Sequence, residues 1–240
     1  MLKYQKDIIQ MITIIASTIT VVICVRIFLI ASFRIPSPSM QPTLQPGDFI
    51  LTNKLIPGPR MDWLYLFGKK EYKRVKGVRE IKRDDILVFN PPYHISDVLD
   101  KNLDIYYVKR CFGIPGDSLY LDQYGSFHLL EKNSPAAQKN ALYIPKKGDE
   151  IQLDSINFQH YKNIIAYETN AEHTIKEKNK YRFQYNYYIV TGDNPSNSED
   201  SRFWGLLPET HIVGKASYIW RSVDPDTKKI RWSRFLKPLS

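Results

Sequence analysis

The sequence predicts a mainly β domain tethered by one N-terminal transmembrane helix. Two observations carry this. The apolar residues are concentrated in a single run, from Ile8 to Phe33. Beyond it come short stretches rich in Val, Ile, Tyr and Phe, bounded by Gly, Pro, Asn and Asp, with no long helical period. At 240 residues, 43% hydrophobic and 25% charged, the chain has an ordinary globular composition. That excludes a wholly disordered chain and a polytopic membrane protein. The length suits one large domain, or a domain carrying an insert.

The first element is the apolar run, which exceeds the roughly 20 residues needed to cross a hydrocarbon core. It shows no polar face, so an amphipathic surface helix is disfavoured. Arg26 is its only formal charge. A central Arg costs on the order of 2.5–3.5 kcal/mol on insertion scales, but near the outer third it can snorkel to the interface. The span is therefore either about Ile8–Val25, or longer and tilted. A cleaved secretory leader is the alternative. The apolar core is longer than the roughly 7–15 residues of such leaders, and Ala31-Ser32-Phe33 makes a poor cleavage site. An uncleaved anchor is expected. Lys3 and Lys6 ahead of it place the N-terminus in the cytoplasm, with Arg34 working weakly against this.

The resulting division is a cytoplasmic 1–7, an anchor over 8–33, and an extracytoplasmic domain over 34–240. The formal net charge of +9 divides with it. Lys3, Lys6 and Arg26 against Asp7 leave +2 on residues 1–33, so the remainder carries +7. Cys24 lies in the anchor and Cys111 far beyond it, so no disulfide framework exists.

Strands are predicted over Asp48–Leu51, Ile86–Phe89, Ile105–Val108, Ser118–Leu121, Tyr185–Thr191 and Ala216–Trp220. Residues 125–180 are rich in Asn, Lys and Gln and weakly patterned, and read as a surface insert. The core is then about 34–124 and 181–240.

Three segments offer chemistry. Ile35-Pro36-Ser37-Pro38-Ser39-Met40-Gln41-Pro42-Thr43-Leu44 places two serines in a proline-stiffened segment just past the anchor. A plain juxtamembrane linker has the same composition. Tyr107-Val108-Lys109-Arg110-Cys111-Phe112-Gly113-Ile114-Pro115-Gly116-Asp117 puts a lysine at the end of an apolar β-like run. Partial burial would lower its pKa, and a neutral lysine can act as a general base. A strand-end lysine with its head in water is the plainer reading. Gly192-Asp193-Asn194-Pro195-Ser196-Asn197-Ser198-Glu199-Asp200-Ser201-Arg202-Phe203-Trp204-Gly205 promises a tightly hydrogen-bonded loop in which Asp200 and Arg202 can pair. A surface turn is the alternative there.

Other chemistries fare worse. The five histidines, at 94, 128, 160, 173 and 211, lack metal-ligand spacing, and no Gly-rich phosphate loop occurs. There is no G-x-S-x-G elbow. Cys111 reads as structural rather than nucleophilic. No metal and no cofactor are expected.

Taken in order, the serine segment, the Lys-Arg strand with G-x-P-G-D, and G-D-N-x-x-x-S-x-D-S-R-x-W-G resemble bacterial type I signal peptidase, the leader peptidase family of Ser/Lys proteases. The resemblance covers Ile35–Leu51, Arg83–Phe89, Tyr107–Asp117 and Gly192–Gly205. It implies a signal-peptidase-like antiparallel β-sheet catalytic domain and removal of signal peptides from exported preproteins. It implies that Ser39 is the nucleophile and Lys109 the general base. Ser37, with the N–H of Ser39, would form the oxyanion hole, and Ser198 would orient the base. Asp193, Asp200 and Arg202 would support the loop. Ile35, Pro36, Met40, Leu44, Tyr107 and Val108 would bind an extended substrate, with shallow apolar pockets for small residues at −1 and −3.

Three positions depart from the family pattern. Pro38 stands between the serines, Pro195-Ser196 replaces the more usual Arg-Asp, and Arg83-Asp84-Asp85 replaces R-G-D. The implied setting is a bacterial plasma membrane. The implied partners are signal peptides, membrane lipid and the protein-export machinery. The basic stretch at 69–83, interrupted by Glu71 and Glu80, fits a solvated surface with mild lipid attraction and not a nucleic-acid site. Two other functions remain open on sequence. One is a Ser/Lys processing peptidase specialised for a single substrate, of the conjugation-pilus type. The other is a membrane-tethered β-domain without catalysis.

Overall fold

A computed structural model describes residues 2–61, 74–94, 99–101, 105–130, 141–169 and 180–239. The first helix, α1, covers Leu2–Phe28, and the chain then enters a strand, β1, at Ile30–Arg34. The apolar run is thus not one helix to Phe33, because its last residues form a sheet edge. The cause is local. Lys54 donates its backbone N–H to Leu29 O at 2.9 Å, and its ammonium to the carbonyls of Arg26 and Ile27 at 2.7 and 3.2 Å. Those bonds satisfy helix-end carbonyls that a further turn would otherwise occupy.

The main sheet is antiparallel. Its long strands are β2 (Asp48–Asn53), β3 (Ile86–Phe89), β4 (Tyr107–Gly113), β6 (Tyr187–Thr191) and β7 (Ile212–Ser222). The sheet order is β1-β2-β7-β3-β4-β6, closed by the short Leu207–Pro208 strand. A further strand, β5 (Ser118–Leu121), belongs to a small sheet of three. Alternation explains β2, whose Asp48, Ile50 and Thr52 point inward and whose neighbours are half-exposed. In contrast, β3 is buried at all four positions, because Ile86 and Val88 enter the core on one face of the sheet and Leu87 and Phe89 the core on the other. One core under the sheet gathers Ile35, Met40, Leu44, Ile50, Ile86 and Val88 with Ala216 and Ile219.

Each predicted strand coincides with or overlaps an observed one, but one is shifted. The expected Ile105–Val108 strand is Tyr107–Gly113, so Lys109 lies inside a strand rather than at its end. The weakly patterned stretch contains a 15-residue helix, α2 (Ser155–Thr169), which the sequence pattern did not predict. Its inward positions are Tyr161, Ile164, Ile165 and Glu168, at helical spacing. The fourth of these is a carboxylate, and that hides the apolar period. Glu168 is buried by accepting bonds from the Tyr181 and Tyr187 hydroxyls at 2.6 and 2.7 Å and from the N–H groups of Gln184 and Tyr185. Residues 69–73 of the basic stretch lie outside the described residues.

Candidate active site

Ser39 is brought to its place by a turn. Gln41 donates to Pro38 O at 3.0 Å and Leu44 to Met40 O at 2.8 Å. Pro38 therefore opens a turn, where its missing N–H costs nothing, and its carbonyl also accepts from Asn194 Nδ2 at 3.2 Å. Opposite, β4 carries Lys109. Pairing of Leu87 with Lys109 and of Val88 with Val108 fixes the register, and so fixes the face on which the lysine stands.

The two side chains meet. Lys109 Nζ lies 2.8 Å from Ser39 Oγ, with both residues buried (4% and 7% exposed). Burial lowers the Lys109 pKa to about 8, against an opposing pull from the Asp200 and Glu199 carboxylates. Ser37 Oγ stands 3.3 Å from Ser39 Oγ.

The loop after β6 clamps this pair from behind. Asn194 donates its N–H to Ser39 O at 3.0 Å. Asp193 takes two 2.8 Å bonds from the Arg110 guanidinium. Asp200 is fully buried and caps the short helix α3 (Ser201–Trp204). It accepts from Ser198 Oγ at 2.7 Å, from Gly192 N at 2.9 Å, and from Arg202 Nε and Nη2 at 2.7 and 2.8 Å. Burial pushes the Asp200 carboxyl up, but these donors outweigh it and hold the group below the usual carboxylate range. The Ser198 hydroxyl hydrogen thus goes to Asp200, and the hydrogen bond from Lys109 goes to Ser39. Gly192 permits the closeness, since a Cβ there would fall 2.2 Å from Ser198 Oγ and 2.6 Å from Ser39 O.

The departures from the family pattern are accommodated. Asp84 adopts φ 69°, the left-handed conformation that favours glycine, and keeps the turn before β3. Pro195 starts a short 3₁₀ turn, where an N–H is not needed.

A groove of about 490 Å³ runs past the dyad. Of the expected substrate-binding residues it is lined by Ile35, Pro36, Met40, Tyr107 and Val108. Leu44 is the exception, being fully buried in the core against the underside of this segment. Sequence reasoning missed Phe33, Arg34, Ile105, Asn197 and Glu199, which also line it. For Phe33 a signal existed but was absorbed by the apolar run. Glu199 sits next to Ser198 in the loop motif, and nothing in the sequence said which way it faced. The groove can take an extended peptide.

Cys111 is fully buried, which pushes its thiol far above the ordinary range, so it is no nucleophile. Among the described residues there is no cluster of side chains fit to hold a metal ion.

Comparison with known proteins agrees with this geometry. Residues 8–221 match the family described as signal peptidase, peptidase S26. The chain belongs to that family. It is 33% identical over 228 residues to signal peptidase I of Pseudomonas aeruginosa, covering 87% of this chain and 70% of that protein. To signal peptidase I of Pseudomonas fluorescens it is 32% identical, over 84% of this chain and 68% of that protein. To that of Helicobacter pylori strain J99 it is 29% identical, over 92% and 89%. The protein is a membrane-anchored serine endopeptidase that cleaves signal peptides. Its anchor is α1, whose Tyr4–Phe28 span is long and apolar enough to cross a membrane.

Proposed function

We propose that Ser39 is the nucleophile of this peptidase and Lys109 its general base. The observation that carries this is the 2.8 Å contact between Lys109 Nζ and Ser39 Oγ, with both residues buried. A serine hydroxyl attacks a peptide carbonyl only when a base removes its proton. A lysine supplies that base when it is neutral, and burial brings its pKa to about 8. The amine takes the Ser39 proton as Oγ bonds to the scissile carbonyl carbon, and then delivers it to the leaving amine. Water, deprotonated by the same lysine, releases the acyl group.

The oxyanion formed at each stage is held by the Ser37 hydroxyl and the Ser39 N–H. The 3.3 Å separation of the two hydroxyl oxygens supports that placement. Ser198 acts on the base from behind. Its hydrogen is committed to Asp200, which leaves its oxygen able only to accept from the amine. Asp193, Asp200 and Arg202 fix the loop. Ile35, Pro36, Met40, Tyr107 and Val108 bind the substrate strand.

The residues ahead of the Tyr4–Phe28 span are cytoplasmic, that span is the anchor, and the chain from β1 onward forms the extracytoplasmic peptidase domain, with an insert at about 125–180. Lys3 and Lys6 support this orientation. In a bacterial plasma membrane the substrates arrive from the export machinery, the remaining partner. The test is cleavage of a preprotein by Ser39→Ala and by Lys109→Ala, each shown folded by circular dichroism. Both should be inactive, and normal turnover by either would exclude the dyad.

A further inference from the structure

The groove past the dyad has one wall from the serine segment and one from the start of β4, and three charged residues line it: Arg34, Lys109 and Glu199. Lys109 is neutral when it acts as the base, so its wall then carries one charge, the Glu199 carboxylate. We propose that Glu199 is a specificity-determining residue that selects preproteins with a basic side chain at −2, the second residue before the cleaved bond. This rests on the Ser39–Lys109 assignment above, which fixes where that bond lies.

Construction is the first argument. Ser198 and Asp200, on either side of Glu199, are buried and bonded to each other at 2.7 Å, while Glu199 itself is exposed. Asp200 also caps α3 and holds the Arg202 guanidinium. The loop therefore presents the Glu199 carboxylate on a fixed backbone, and little order has to be gained when a ligand meets it. Among the described residues Glu199 forms no ion pair, and its hydrogen bond comes from the neutral Tyr107 hydroxyl at 3.2 Å. Its charge does reach the site, since it raises the Lys109 pKa against the effect of burial.

Position is the second argument. Tyr107 and Lys109 are two residues apart on β4 and so share a face. The Lys109 amine lies 5.5 Å from the centre of the Tyr107 ring, and the hydroxyl of that ring meets Glu199. The carboxylate is thus one aromatic ring from the base, beside the part of β4 assigned to the residues before the scissile bond. An extended chain alternates its side chains. With −1 and −3 turned into the apolar pockets, −2 points away from them toward the rim, where the exposed Glu199 stands.

The sign of the charge sets the preference. A Lys or Arg at −2 meets a carboxylate that has no other cation paired to it, and an Asp or Glu there is repelled. Both groups stay in contact with water at the rim, so neither bears the full penalty of a buried charge. An exposed pair of this kind contributes modestly. It grades substrates that already carry small residues at −1 and −3.

Cleavage by the full chain in detergent tests this, with three preproteins that differ only in Lys, Gln or Glu at −2. Wild type should show a kcat/KM about 5-fold higher for Lys than for Glu, with Gln between them. Glu199→Gln should bring that ratio close to unity, and Glu199→Lys should invert it. Each ratio compares two substrates at one pH, so a change in the base, which both share, cancels. Raising the salt to about 0.5 M should shrink the wild-type ratio by screening. Ser39→Ala, run alongside, keeps the two readings apart: cleavage by that variant would undo the dyad assignment whatever the ratios. A Lys-to-Glu ratio that is the same in all three enzymes, or one that follows residue 199 when the charge is placed at +1 and not at −2, would overturn the proposal.

Discussion

Lys109 sits in the middle of a strand with its amine 2.8 Å from Ser39 Oγ, and the same burial that aligns the pair lowers the lysine pKa to about 8. The contact and the protonation state have one cause. A lysine in water would be charged at neutral pH and useless as a base.

That burial has a cost in stability. The unfolded chain binds the Lys109 proton with an ordinary pKa of 10.5, the folded chain with about 8. Between those values the unfolded state binds more protons, so stability rises with pH across this window; below about 8 the full penalty is present. Lys109→Met should be more stable than wild type at neutral pH, by on the order of 3 kcal/mol. The gap should shrink above pH 10. Urea unfolding of both proteins in detergent, at neutral and at alkaline pH, measures it. A gap independent of pH would show that the lysine is not depressed.

Glu199 is expected to tune the base. Its carboxylate lines the groove, accepts from the Tyr107 hydroxyl at 3.2 Å, and raises the Lys109 pKa by its charge. Glu199→Gln should move the pH–rate profile to lower pH. Tyr107→Phe keeps the charge and should move it less. Profiles of kcat/KM for the two variants separate the charge from the hydrogen bond.

Ser37 is exposed and lies beside the reacting oxygen, so its hydroxyl can be removed with little effect on folding. Ser37→Ala should lower kcat about 10²–10³-fold with KM nearly unchanged. Steady-state kinetics on a preprotein decide this. A loss confined to KM would assign Ser37 to substrate binding.

Much of this was legible in the sequence, and what was not has identifiable causes. The prolines around Ser37 and Ser39 and the turn residues after Gly113 mark local conformation, which is written locally. The meeting of Ser39 with Lys109 is written in strand register, which depends on distant partners; only the order of several motifs made it visible. Phe33 was lost to the anchor because an apolar residue in a membrane helix and one on a sheet edge look alike in sequence. Helix α2 was missed because Glu168 occupies one of its inward positions, which the hydroxyls of Tyr181 and Tyr187 and the N–H groups of Gln184 and Tyr185 make tolerable. Leu44 is placed in the groove by the family resemblance, yet the turn at Pro38–Gln41 rotates it into the core.

The central claim is that a neutral Lys109 activates Ser39. The pH dependence of kcat/KM for preprotein cleavage by the wild-type chain tests it most directly. The rate should rise through neutral pH and level off with a midpoint at about 8. A profile flat through neutral and alkaline pH, or one with its midpoint at the 10.5 of an ordinary lysine, would contradict it.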